Sequence, residues 1–356
     1  MNTTVEVLGF AREPAWLPWA VTYFFLIGIS TTAFLLSLPG LVWHRPAWRG
    51  ISRRALLVAL VCGLTGPVAL LADLHQPGRF LNFYLHPNLG SWMAWGSFFI
   101  PLYMFGLFLY AWLCLRPQLA SLAKNGDRYS GLYRTLAYGG HDNQGAIKAA
   151  ALVGAIGAAL LMLYTGMEVM VVQARAMWNS PVVPLLFAAT ALSGGLGMTS
   201  LFEALSGNQT AAPLLNRWLE RSQWASLMLL LVWLLLGATG LSSAAAEALS
   251  AMQGDFSWWV TGAWLFGSTL LALWMARSQR QALVLPALFA LQLAWSVRWT
   301  VLMASQSLPK MGATSPRYFL TLTPDGLLGI VAMVGLCLAV YIVLTSLVPW
   351  DERSEV

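Results

Sequence analysis

The residues best equipped for chemistry lie where one apolar run ends and the next begins. The stretch reads Asp73-Leu74-His75-Gln76-Pro77-Gly78-Arg79-Phe80, continues through Asn82, Phe83, Tyr84, His86 and Pro87, and ends at Ser91-Trp92-Met93-Ala94-Trp95-Gly96. It holds an acid, two of the four histidines of the chain, an arginine and a tyrosine. A carboxylate or an imidazole in this setting can accept a proton, and the aromatic rings can hold a flat amphipathic ligand. An ordinary interfacial loop also gathers Trp, Tyr, His and Arg, whose apolar bodies and polar tips suit the headgroup zone. Composition alone leaves both readings open.

Two further groups carry ionisable side chains inside or at the end of apolar runs. The first is Tyr164-Thr165-Gly166-Met167-Glu168, followed by Gln173, Arg175 and Trp178. Tyr164, Glu168 and Arg175 are spaced by four and seven, which puts them on one helix face. The second is Arg298 between Trp295 and Trp299, followed by Gln306 and Lys310. A charge at membrane depth is costly, so each of these is a functional candidate. The competing reading is a Glu168–Arg298 or Asp73–Arg298 ion pair that only locks helices together.

The elements that must position these groups follow from composition. The 356 residues are 58% hydrophobic and 10% charged, against about 25% charged in a soluble domain. An all-α integral membrane protein is expected, a single domain over 1–356. Nine apolar runs are long enough to span the hydrocarbon, at roughly 17–42, 55–71, 92–115, 146–171, 182–205, 218–241, 258–276, 282–304 and 326–348. They are continuously apolar, so a helical bundle is expected rather than a barrel of alternating strands. The first run lacks a basic leader and a small-residue cleavage site and reads as a retained helix. The longest loop, about 116–145, is too short for a separate domain.

Basic residues orient the bundle. With the N-terminus outside, fourteen Lys and Arg fall in cytoplasmic loops and five (Arg12, Arg79, Arg175, Lys310 and Arg317) on the other side. That bias predicts a periplasmic N-terminus and a cytoplasmic C-terminus in a bacterial inner membrane. The basic residues are spread over short loops, not gathered in a patch, which argues against nucleic acid as a partner. In this orientation Asp73, His75, Arg79, Glu168, Arg175, Arg298, Gln306 and Lys310 all fall on the outer side. Glu203, at the inner end of the fifth run, is the main exception.

The histidines His44, His75, His86 and His141 lie in loops or at helix ends, so no pair is placed to ligate a haem inside the bundle. Cys62, Cys114 and Cys337 have no metal-ligand spacing and suggest no disulfide framework. No metal site, haem or iron–sulfur cluster is expected in the chain. If it is a redox protein, quinol is its natural membrane partner, and the electrons must leave to metal clusters in another subunit.

The second and third runs resemble the NrfD-like family of polysulfide reductase membrane subunits. Members carry an Asp-Leu-Gly-x-Pro-x-Arg-Phe stretch followed by Pro and Ser-x-Met-x-x-Gly. Here these are the Asp73 to Phe80 stretch, Pro87, and Ser91 to Gly96. The family's Tyr-Thr-Gly is Tyr164-Thr165-Gly166, with Trp178 downstream. Within the family the chain is most similar to the tetrathionate reductase membrane-subunit branch. That likeness rests on Trp16-Leu17-Pro18-Trp19 with Tyr23, Ala72-Asp73-Leu74-His75-Gln76, Glu168-Val169, Ala174-Arg175 and Arg298-Trp299-Thr300, then Gln306 and Pro309-Lys310. The first-run histidine of some members is absent, and Trp19 and Tyr23 occupy that region.

The resemblance implies an integral subunit that oxidises menaquinol near the outer face. It also implies a periplasmic partner with four iron–sulfur clusters and a molybdopterin catalytic subunit beyond it. On this reading the ring rests against Trp19, Tyr23 or Trp92, with Arg79 and Arg175 nearby, and Tyr164 hydrogen-bonds a ring oxygen. Asp73, His75 or Glu168 accepts a proton, and Arg298 keeps the adjacent carboxylate ionised. A secondary transporter or a passive anchor without a quinol site are the alternatives. The terminal acceptor stays open.

Overall fold

The computed structural model describes residues 14–74, 76–124, 129–139, 142–308, 318–348 and 350. His75, His141, Lys310 and Arg317 lie outside the described residues. Among the described residues all regular structure is helical: α1 (Pro18–Leu41), α2 (Arg49–Asp73), α3 (Asn82–Leu85), α4 (Trp92–Leu122), α5 (Ser130–Leu136), α6 (Gln144–Met170), α7 (Val182–Leu205), α8 (Ala212–Ala238), α9 (Ser243–Gln253), α10 (Phe256–Ser278), α11 (Val284–Leu302) and α12 (Leu327–Leu347), with short 3-10 turns between some of them. Nine of these are long and apolar enough to cross a membrane, namely all but α3, α5 and α9. This is the expected multi-pass bundle.

Boundaries differ from the apolar runs where charged ends extend the helix. The second span begins at Arg49, with Arg49, Arg53 and Arg54 continuing the helix past its apolar part, where Arg53 donates to Gln118 of α4. Likewise α4 runs on to Leu122 and α8 starts at Ala212. The helix α9 has no counterpart among the expected spans. Gly240, at φ 73°, turns the chain after α8, and the Ser242 hydroxyl caps α9 by accepting from Ala245 N at 3.2 Å. At eleven residues, α9 is too short to cross a bilayer.

The helix α1 is central. Of its most apolar stretch 89% is buried, against 11% for α12, which lies at the margin of the bundle against α1 and α2. Eight of the helices fall into two groups of four: α1 and α2 with α4 and α6, then α7 and α8 with α10 and α11. Contacts of α7 with α1 and α6 join them. Between α4 and α6 the backbones touch: a Cβ on Gly106 would fall 2.5 Å from Gly154 Cα, and one on Gly157 2.7 Å from Tyr103 Cα. Small residues at such crossings bring membrane helices together. Buried hydroxyls of Thr31, Thr65, Thr190, Thr199 and Ser200 bond to carbonyls one turn back in their own helices. Each of these donors is thereby satisfied in an interior that offers no water. Alternating directions bring the ends of α2, α6 and α11 and the starts of α1, α4, α7 and α12 to one end of the bundle.

Candidate functional site

At that end the last turn of α6 buries Glu168, with Tyr164 one turn below it. The Tyr164 phenol and the Glu168 carboxyl interact side chain to side chain. Tyr23 from α1 and Asp73 from α2 lie within electrostatic range of Glu168. Tyr23 is wholly buried, and its hydroxyl has no hydrogen-bond partner among the described residues. A buried hydroxyl left without a partner costs about 1–3 kcal/mol, so this one is set to receive a polar group. The motif glycine Gly96 of α4 makes the seat for Tyr164: a Cβ there would fall 2.6 Å from the phenol oxygen. Its neighbour in the Tyr-Thr-Gly motif, Gly166, lies against Pro184 and brings α6 onto α7.

Arg298 corrects an expectation. It bonds to no carboxylate among the described residues. Its Nε donates to Phe24 O at 2.9 Å, Nη1 to Thr190 Oγ1 at 3.1 Å and Ala294 O at 2.9 Å, and Nη2 to Phe187 O at 3.2 Å. Those bonds engage four of the five guanidinium N–H groups and tie α11 to α1 and α7. The guanidinium also lies 5.3 Å from the Phe187 ring centroid. A Cβ at Gly28 would fall 2.8 Å from Nη2, so only glycine at that position lets α1 pass the guanidinium. Beside it lies a cavity of about 10 Å³ lined by Gly28, Thr31, Thr165, Ala191 and Arg298, the room of about one water. The pairing with Glu168 or Asp73 fails because backbone carbonyls and a threonine already surround the charge.

Asp73 and Arg175 serve a second arrangement that holds the segment leading into α1. Asp73 Oδ1 accepts from Leu17 N at 3.1 Å, at the α1 N-terminus, where a negative charge suits the helix dipole. Gln306, 1% exposed, accepts from Ala15 N at 2.8 Å and donates to Trp16 O at 2.9 Å. Arg175 Nη1 donates to Gln306 O at 3.2 Å, and Trp178 Nε1 donates to Ser305 Oγ at 2.6 Å. Trp16 stacks on Phe24 at 5.2 Å. Desolvation in this half-buried setting pulls the Arg175 guanidinium below the ordinary arginine value.

The remaining candidates lie further out. Trp19 turns to α12, donating to Asp325 Oδ1 at 3.3 Å, and its ring covers Gly329. Trp92 is half-buried at the first residue of α4. Arg79 is exposed and lines a hollow of about 450 Å³ with Phe83, His86, Ser91, Met93 and Ala94. The structure thus gathers Tyr164, Glu168, Tyr23 and Asp73, and leaves Trp19 and the surface arginines apart. Among the described residues no three His, Cys, Asp or Glu side chains gather as metal ligands.

Sequence reasoning misses two residues that shape this end. Gly28 looks like general helix punctuation, and Thr190, a neutral hydroxyl in an apolar run, carries no signal. Gly96 is legible as a motif position, but its role as a seat needs the α4–α6 contact.

Residues 7–310 match the family model described as polysulphide reductase, NrfD. The chain is 34% identical to the C subunit of tetrathionate reductase from Salmonella typhimurium, over 95% of its own length and 94% of that protein. It is 28% identical to a putative dimethyl sulfoxide reductase membrane subunit of Halobacterium salinarum, over 74% of this chain and 59% of that one. It is 26% identical to the protein NrfD of Escherichia coli, over 79% and 92%. With a family model spanning most of its length and a relative matched nearly end to end, the chain belongs to the NrfD family of polysulphide reductases.

Proposed function

We propose that this chain is the quinol-oxidising membrane subunit of a respiratory molybdoenzyme complex in a bacterial inner membrane. It takes electrons from menaquinol and passes them to a periplasmic iron–sulfur subunit with four clusters, which feeds a molybdopterin catalytic subunit. Tetrathionate is the acceptor suggested by the relative matched over nearly the whole chain. The observation that carries the reading is the buried Tyr164–Glu168 pair beside the Tyr23 hydroxyl, which has no hydrogen-bond partner among the described residues.

The residues fit a quinol ring. Two phenols and a carboxyl supply hydrogen bonds for two ring oxygens, and the seat at Gly96 fixes the Tyr164 ring. When bound, quinol supplies a pair of electrons and the protons of its hydroxyls. Tyr164 holds one ring oxygen and Tyr23 offers a second hydrogen bond. Glu168 accepts a proton, and burial keeps competing water away from it. Asp73, at the end of α2, relays protons outward, and His75, two residues on in the sequence, is the next acceptor. Arg298 adds positive potential without neutralising Glu168 by contact. Arg79 and Trp92 line the approach, while Arg175 and Trp19 hold α1 in place. The positive-inside bias puts this end on the periplasmic side.

Binding of a short-chain menaquinone analogue to the purified protein, followed by tryptophan fluorescence quenching, tests the site. The reading requires saturable quenching that is weakened in Tyr164→Phe and in Gly96→Ala. Quenching that rises without saturation, equally in all three proteins, would remove the site.

A further inference from the structure

The opposite end of the bundle carries a cavity of about 860 Å³ between the α1–α2 turn and the α7–α8 turn. His44, Arg49, Asn208, Thr210 and Arg217 supply its polar wall, and Ile51 and Leu214 are among its apolar residues. Among the described residues no carboxylate lines it. The two nearest along the chain each have a partner, that of Glu203 being the wall residue Asn208 itself. Glu203 is buried and accepts from Asn208 Nδ2 at 2.8 Å, and Glu220 is paired with Arg280 at 3.3 Å. Arg217 is exposed and makes no hydrogen bond or ion pair among the described residues. His44 adopts φ 51° to turn the chain here, and its Nε2 lies 3.2 Å from Gln144 Oε1.

The surroundings give the depth of this cavity. Trp48 and Trp218 meet edge to face at 6.2 Å, Arg221 lies 5.0 Å from the centroid of the Trp218 ring, and Trp43 is 60% exposed. Such tryptophans gather at the headgroup level of a bilayer. Both α2 and α8 begin at the cavity wall, with no side-chain cap and no acid in the first turn. Their dipoles therefore add to the positive field of the arginines.

We propose that this cavity binds the phosphate of an anionic phospholipid, with Arg49 and Arg217 on the phosphate and the acyl chains leaving past Ile51 and Leu214. The apolar part of the wall and the tryptophan belt favour a lipid over a soluble phosphate. Basic pockets between helices on the cytoplasmic side suit anionic headgroups. The site lies at the far end of α1 and α2 from Glu168 and needs no part of the quinol reading.

Native mass spectrometry of the full-length protein, with equal amounts of phosphatidylglycerol and phosphatidylcholine in the detergent, provides the test. Phosphatidylglycerol should be retained in preference, and Arg217→Gln should lower that preference roughly fivefold, the weight of one basic side chain near an anionic lipid. Arg217 is exposed, so its replacement spares the fold. Arg280→Gln removes the same charge at the same end but outside the cavity, and should leave the preference intact. Equal retention of the two lipids would overturn the proposal. So would an equal loss in both variants, or binding of inorganic phosphate without any preference for phosphatidylglycerol, which would make this a soluble-anion site.

Discussion

Glu168 and Arg298 are both ionisable groups buried at the same end of the bundle, and their surroundings differ. Arg298 spends four N–H donors on three carbonyls and a hydroxyl, whereas Glu168 faces two phenols, one of them without a partner. A guanidinium so enclosed positions helices, and a carboxyl so placed can exchange a proton. Glu168→Gln keeps the shape but removes the base, so quinol oxidation should fall by about a hundredfold or more, with the amount of folded protein unchanged. Tyr164→Phe removes the hydrogen bond proposed to the ring oxygen. The loss should be milder, about tenfold, measured as turnover with a reduced menaquinone analogue. Gly96→Ala forces the Tyr164 ring off its seat, so its turnover should fall at least as far as that of Tyr164→Phe.

At the scale of the elements, the Glu168 end depends on where α1 begins. Gln306 and Asp73 hold backbone groups of residues 15–17, and Arg298 holds α1 beside Tyr23, at the Phe24 carbonyl. Arg298→Ala removes all four bonds and opens a cavity between α1, α7 and α11. The expected destabilisation is about 3 kcal/mol or more, read as a lower unfolding midpoint in detergent. Unchanged stability with abolished turnover would instead put Arg298 in the chemistry. The helices themselves are legible in the sequence, because nine long apolar runs have few other solutions in a membrane. Asp73, Glu168 and Arg298 also stand out there by the cost of charge at depth. Which charge faces which oxygen does not. The Arg298 partners are mostly backbone carbonyls, which carry no side-chain signal, and the expected ion pair comes from counting side chains alone. Nor is α9 exposed, since its eleven residues lie below the length that marks a span.

For the whole molecule, the basic end with its cavity of about 860 Å³ and the Glu168 end lie at opposite ends of the bundle. The expected orientation makes the Glu168 end periplasmic, so a cysteine introduced at exposed Leu85 should react with a membrane-impermeant maleimide in intact cells. One at exposed Tyr138 should react only after lysis. The reverse pattern would move quinol oxidation to the cytoplasmic side. If electrons and protons both leave at the periplasmic end, as the proposed reading has it, the step by itself moves no net charge across the membrane.

Movement of electrons from quinol to a metal-bearing partner is tested most directly on the protein purified in mild detergent, together with whatever subunits accompany it. On addition of a reduced menaquinone analogue, the iron–sulfur absorbance of the complex should bleach within turnover time, and should fail to do so in the Glu168→Gln complex. A complex whose clusters are reducible by dithionite yet never respond to the quinol would contradict the account.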